Sequence, residues 1–316
     1  MVTGGAGFLG SNLVGKLIDK GHDVIVLDDF SSGHHCLVHE RATLIEGSVT
    51  DDESLSRSFI HKPEYVFHLA AQFANQNSVD HPDKDLITNG LGVIKVFDWC
   101  KKSDVKKVLN TSSSCVYGNQ EKMDENVKTF YPDTPYAITK LLGEYYAKFW
   151  AEHHEVDIVT VRLFNVFGPG EFPGDYRNVI PNFISLALQG KPLVITGSGD
   201  ETRDFTYVDD AVAGMCKVLF GKTFPGDVFN IASGRKTKII EIAEIINSYL
   251  KNENNIIYKP RRNWDSVINR QADIKKITSQ IGYSPEADLV KSVQKTCDWM
   301  SENIGPEFFK LQTNGK

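Results

Sequence analysis

The chain is 316 residues long, 41% hydrophobic and 24% charged, enough for one large globular unit or two joined lobes around a substantial core. Its formal net charge of −6 and pI near 5.9 argue against a nucleic acid or an anionic membrane as the main partner, because both favour clustered Lys and Arg. No run of 18 or more apolar residues occurs, and the start lacks a basic segment followed by an apolar one, so neither a membrane span nor a signal peptide is expected and the cytoplasm is the expected compartment.

From the front, Met1-Val2-Thr3 precedes a glycine-rich run and leaves little room for a strand of about five residues. Either the chain is clipped there or its first strand is short and frayed. A helix is predicted from Leu9 to Lys20, closed by Gly21, then short buried strands at Val24–Leu27 and Thr43–Ile45. Next come a helix from Glu53 to Ile60, a strand at Tyr65–Leu69, a helix from Leu86 to Lys101 and a strand at Lys107–Leu109. A helix from Tyr136 to His153 and a strand at Ile158–Val161 complete the first half. Strand alternating with helix implies right-handed crossovers and a parallel sheet covered on both faces, that is, an α/β fold of the Rossmann type with a doubly wound sheet.

After Phe167 the texture turns to Gly/Pro-rich loops, with a helix at Pro181–Gln189, a strand at Val228–Ile231 and a helix at Lys238–Leu250. The expected division is residues 1–166 plus about 205–250 as a nucleotide-binding domain, and about 167–204 plus 251–316 as a smaller, discontinuous substrate lobe. Disorder is expected only at Thr313–Lys316, which lacks apolar anchors. The cysteines (Cys36, Cys100, Cys115, Cys216, Cys297) are scattered, odd in number and never in a CxxC pair, which reads as reduced thiols with neither a disulfide framework nor a metal site.

Thr3-Gly4-Gly5-Ala6-Gly7-Phe8-Leu9-Gly10 places glycines 4, 7 and 10 between a strand stub and the head of an amphipathic helix. A pyrophosphate fits there: no Cβ blocks the backbone, and free N–H groups of the first helical turn face its charge. The second strand runs into Asp28-Asp29, about 20 residues on, where a carboxylate accepts bonds from both adenosine ribose hydroxyls and repels a 2′-phosphate. NAD is thus expected over NADP; a turn aspartate capping a strand end is the alternative.

Tyr136-Ala137-Ile138-Thr139-Lys140 sets a tyrosine and a lysine four apart on one helical face. A phenol is a poor base at neutral pH, but a nearby ammonium and a positive nicotinamide favour the phenolate. Alone the pair is ordinary helix surface. Following the strand at Lys107–Leu109, however, Thr111-Ser112-Ser113-Ser114-Cys115-Val116-Tyr117-Gly118 offers hydroxyls to the crevice at the C-terminal end of a parallel strand; a serine-rich turn is the alternative.

Together TGGAGFLGS, LDDFSSG, HLAAQ, TSSSCVYG, YAITK, RLFNVFGPG and GDETRDFTYVDD follow one another, from about Val2 to Asp288, in an order that resembles the extended short-chain dehydrogenases, specifically the NAD-dependent nucleotide-sugar epimerase/dehydratase group that includes UDP-glucose 4-epimerase. The resemblance implies Tyr136 as acid and base, Lys140 on the nicotinamide ribose and Ser113 as the partner hydroxyl. It implies Gly4, Gly7, Phe8, Leu9 and Gly10 at the pyrophosphate, Asp28 and Asp29 at the ribose, and Ser31, Ser32, Gly33, Ser48 and Val49 around the adenosine. Leu69, Ala70, Ala71 and Gln72 would border the nicotinamide, with Asn89 beneath. On the substrate side it implies Phe73, Ser114, Asn165, Asn178, Val179, Arg203, and Arg262 with Asp265, arginines suiting phosphate through paired, charge-assisted bonds. Arg203 paired with Asp204 or Asp209, and Arg262 as a loop cation, are the alternatives. A homodimer joined through the helices at Leu86–Lys101 and Tyr136–His153 is implied too.

Departures narrow the reading. Ser48 replaces an aspartate that would face the adenine amino group. Cys115 stands where the family's dehydratases and decarboxylases carry a glutamate, needed to move a proton beside a transient ketone. Its absence favours inversion at a sugar carbon, C4 first, over elimination; a decarboxylase, a reductase or a non-catalytic binding protein are the rival readings. Trp264 replaces small residues and reads as packing or as a base stack. Arg177 either meets a sugar carboxylate or is a loop cation beside Asp175.

Overall fold

The computed structural model describes residues 1–120 and 123–305, so the tail expected to be disordered, Thr313–Lys316, lies outside the described residues. In chain order it holds β1 (Val2–Thr3), α1 (Phe8–Asp19), β2 (Ile25–Asp28), β3 (Thr43–Glu46), α2 (Asp52–Phe59), β4 (Tyr65–His68), α3 (Asn75–Asp80) and α4 (Pro82–Asp85). A π-helical turn at Leu86–Leu91 leads into α5 (Gly92–Lys102), followed by β5 (Lys107–Ser113), a 3₁₀ turn at Ser114–Tyr117, α6 (Pro135–His153), β6 (Ile158–Leu163), β7 (Val166–Phe167) and α7 (Val179–Leu188). The rest comprises β8 (Val194–Thr196), β9 (Thr202–Arg203), β10 (Thr206–Tyr207), α8 (Val208–Phe220), β11 (Val228–Ile231), β12 (Thr237–Lys238), α9 (Ile239–Leu250), β13 (Ile257–Lys259), α10 (Lys275–Ile281) and α11 (Leu289–Asn303).

Seven of these strands form one all-parallel sheet in the order β3-β2-β1-β4-β5-β6-β11, the doubly wound Rossmann arrangement. Strands such as Ile25-Val26-Leu27 and Val108-Leu109 are buried because helices cover both faces, with one apolar cluster on each side. Strand β1 is short but not frayed. Val2 pairs with Val26 on one side and Phe67 on the other, and both its residues are fully buried at the centre of the sheet.

Strand β5 runs to Ser113, four residues past its predicted end. The polar residues stay extended because their hydroxyls find partners: Thr111 Oγ1 donates to the His68 carbonyl at 2.7 Å and Ser112 to Glu144. Helices α8 and α11 carry no prediction above, yet each buries an apolar stripe, Ala211, Val212, Met215, Val218 and Leu219 on α8 and Val293, Cys297 and Met300 on α11. The two-stranded pairs β10-β7, β12-β9 and β13-β8 lie outside the main sheet, and α9, expected with the nucleotide-binding domain, packs on α7 and α11. Among the described residues no helix is long and apolar enough to cross a membrane, and the five cysteines are free.

Candidate active site

A single cavity opens over the C-terminal ends of β1, β2, β4 and β5, where the strand order reverses beside β1. Its floor at one end is the glycine run. Gly4 takes φ +70°, and a Cβ there would stand 2.8 Å from the Ala70 amide; a Cβ on Gly10 would fall 2.0 Å from the Gly4 carbonyl. Thr3 Oγ1 binds His68 Nδ1 at 2.8 Å and accepts from the amides of Leu69 and Ala70, so the exits of β1 and β4 are held together. Helix α1 starts at Gly7 without a side-chain cap, which leaves its first-turn N–H groups to the cavity.

Asp28 is buried and accepts from the amides of Ala6 and Phe30, each at 2.9 Å. Burial pushes its carboxyl up, those two amides pull it down, and Asp29 adds to the rise. Ser31, Ser32, Gly33, Asp29 and Val49 line the same end. A glycine cradle with no space for a Cβ, an uncapped helix start and an amide-held carboxylate fit a dinucleotide.

Not every predicted cofactor residue reaches the cavity. Ser48 turns to Thr50, Oγ to Oγ1 at 2.9 Å. Asn89, 1% exposed on the π-helical turn, clamps the Gln72 backbone, accepting from its amide at 2.8 Å and donating to its carbonyl at 3.1 Å. It positions the wall that Leu69, Ala70, Ala71 and Phe73 present.

The hydroxyl, phenol and ammonium converge at the other end. Ser113, Ser114, Tyr136 and Lys140 all line the cavity, with the Lys140 ammonium 5.7 Å from the Tyr136 ring centroid and donating to the Thr111 carbonyl at 3.0 Å. Burial pushes the Tyr136 phenol far up, with Cys115 and Asp85 adding to it and a hydrogen bond with Ser113 opposing. Lys140 is pushed down to about 8 by burial, against the pull of buried Asp85. That carboxylate is fixed from behind by Thr139 at 2.6 Å and Asn89 at 2.7 Å.

The substrate-side candidates divide. Asn165 and Asn178 line the cavity, Asn165 at φ 34° with a buried Oδ1 that has no protein partner, and Asn178 donating to Glu171 at 3.1 Å. Val179, first residue of α7, packs against the core instead. Arg203 pairs with Asp265 at 3.7 Å, not with Asp204, which is taken by Ser233, Gly234 and Ala272. Exposed Arg262 rests over the half-buried Trp264 ring at 5.7 Å, and the Trp264 indole N–H donates to Gln76 at 2.8 Å. Arg177 donates to the Ser32 carbonyl at 3.1 Å, on the adenosine loop.

Among the lining residues that the sequence reading passes over, two carry ionisable side chains buried in the wall. Glu171 is 2% exposed, has an Oε2 without a protein partner and is pushed up to about 8 by burial. Arg270, 7% exposed, reaches the Cys115 sulfur at 3.6 Å and leaves its Nε without a protein partner. Burial and that neighbouring cation push Arg203 down to about 10.

Comparison with known proteins points to one family. The family model described as "NAD dependent epimerase/dehydratase family" matches residues 1–232. An epimerase structure from Methanothermobacter thermautotrophicus superposes with a TM-score of 0.94 at 42% identity, covering 99% of this chain and 94% of that one. UDP-glucose 4-epimerase of Thermotoga maritima, solved with UDP-glucose, gives 0.92 at 34% identity, covering 96% and 99%. UDP-N-acetyl-alpha-D-glucosaminuronate decarboxylase of Bacillus cytotoxicus is 31% identical over 96% of this chain and 97% of its own.

Proposed function

The chain belongs to the NAD dependent epimerase/dehydratase family, and from that premise we propose that it inverts a carbon of a nucleotide-linked sugar, C4 of a UDP-sugar through a transient 4-keto form. The observation that carries this is the meeting of Ser113, Tyr136 and Lys140 in one cavity with the glycine cradle and Asp28. NAD, when bound, supplies the acceptor and donor of the hydride. The cradle and the α1 N-terminus would hold its pyrophosphate, Asp28 its ribose, and Lys140 the ribose next to the nicotinamide. Tyr136 takes the proton of the sugar hydroxyl and returns it after the ring has turned. Ser113 holds the reacting oxygen, and Lys140 supplies the positive charge against which a phenolate forms.

A division into a nucleotide-binding domain and a smaller lobe is part of the proposal, and α9 goes with the lobe because it packs on α7 and α11. A homodimer is part of the proposal. What supports it is a set of exposed apolar residues on two packed elements, Leu86, Ile87 and Leu91 on the π-helical turn and Ile138, Tyr145 and Phe149 on α6. Cytoplasmic placement is supported by the free thiols.

The test offers UDP-glucose, UDP-galactose, their N-acetyl and uronic forms and nucleotide-swapped analogues, and follows inversion by NMR together with NADH absorbance. Inverted product without net NADH is expected; bound NAD with no inversion of any sugar sinks the reading. Tyr136→Phe should keep its fold and NAD and lose about 10²- to 10⁴-fold in turnover. Released carbon dioxide would move the assignment to the decarboxylase.

A further inference from the structure

Arg270 has no role in the steps above, and its surroundings are unusual for a buried cation. A guanidinium taken out of water needs a countercharge and bonds for its N–H groups. The carboxylates on the segments that adjoin Arg270 pair with other arginines: Asp265 lies 3.7 Å from Arg203 and 3.6 Å from Arg261, and Glu201 lies 3.9 Å from Arg261. Arg270 meets the Cys115 sulfur through Nη1, and its buried Nε has no protein partner. The Nε edge of a guanidinium is suited to forming two parallel bonds to a carboxylate.

Position decides which anion this edge meets. Cys115 follows Ser113 by two residues, its amide donates to Ser113 Oγ at 3.2 Å, and it clusters with Tyr136 and Phe73. Arg270 therefore lies one side chain away from Ser113, the hydroxyl proposed to hold the reacting oxygen. In a hexopyranose C4 is flanked by C3 and by C5, which carries C6, whereas C1 with its diphosphate lies across the ring. Of the substituents at the C4 end, the C6 group of a uronic acid carries a carboxylate, the anion that a guanidinium edge pairs with.

We propose that Arg270 binds a carboxylate at C6 of the sugar, so that nucleotide-linked uronic acids are the preferred substrates. This rests on the nucleotide-sugar reading above and names its substrate class. Lacking the carboxylate, a neutral hexose leaves a buried cation unpaired, and such a site discriminates strongly against it.

The test compares UDP-glucuronate with UDP-glucose on the NAD-loaded protein, by turnover and by calorimetric binding. The wild type should favour the uronate by about tenfold or more in both, and Arg270→Met should lose that preference while changing the neutral sugar by about threefold or less. Arg270→Lys, which keeps the charge without the paired edge, should fall between them. Equal or better binding of UDP-glucose by the wild type overturns the inference. So does an Arg270→Met protein, folded and NAD-loaded, that loses both sugars equally, since Arg270 would then serve the diphosphate. If neither sugar is inverted, the epimerase reading fails while the binding ratio still tests Arg270.

Discussion

Two buried arginines, Arg162 and Arg270, show how the molecule separates what holds it together from what it uses. Arg162, on β6, donates from Nε and Nη2 to the two oxygens of Glu144 at 2.9 and 2.6 Å and from Nη1 to the Tyr117 hydroxyl at 2.8 Å, and the Tyr117 hydroxyl donates to Asn230 Oδ1 at 2.9 Å. Burial works against its charge, but Glu144 more than offsets this and holds the guanidinium above its ordinary pKa. Arg270 is buried to a similar degree, yet its Nε is left over, as are Asn165 Oδ1 and Glu171 Oε2 on the same cavity wall. A polar network completed within the protein rigidifies it; polar groups left incomplete at a cavity are costly until a ligand completes them.

The largest effect should come from opening the closed network. Glu144→Gln leaves the Arg162 charge buried without its counter-ion, and a loss of about 3–5 kcal/mol in unfolding free energy is expected from urea titration. A loss under about 1 kcal/mol would mean that the network resembles the cavity side after all.

Glu171 sharpens the contrast from the cavity side. Its folded pKa of about 8 stands above the ordinary 4.5, so the neutral acid is what the fold accommodates. The contribution is fully present below pH 4.5 and is lost as pH rises through 8, because the native state then gives up a proton that it holds more tightly than the unfolded chain. Compared with Glu171→Gln, the wild type should lose up to about 1.4 kcal/mol per pH unit across that window. Parallel stability curves for the two proteins would show that Oε2 is not the cost that its burial suggests.

Much of this was legible in the residues. The parallel strands announce themselves as apolar runs, and Gly4, Gly7 and Gly10 before a helix, with Asp28 after the next strand, carry their own physical reason. The misses share a cause: periodicity and spacing report local structure, whereas a cavity wall is assembled from distant segments. Arg270 meets Cys115 across 155 positions of sequence, from an irregular stretch with no helical or strand period to mark it. Arg262 has the more suggestive local context and ends exposed over Trp264. Helix α8 was detectable, since Asp209 and Asp210 in its first turn precede apolar positions at helical spacing.

The smallest predicted effect divides the two arginines that could meet a sugar carboxylate. Arg177 stands in the loop before α7, where the sequence allowed it that role, but its guanidinium is tied to the Ser32 carbonyl beside the adenosine end of the cavity. One partly exposed bond of this kind contributes about 1 kcal/mol or less. Arg177→Ala should therefore weaken NAD by about fivefold or less and leave the ratio of UDP-glucuronate to UDP-glucose turnover unchanged. Should the ratio collapse in Arg177→Ala and persist in Arg270→Met, the carboxylate would belong to the adenosine-side loop, and the open edge of Arg270 would need another anion.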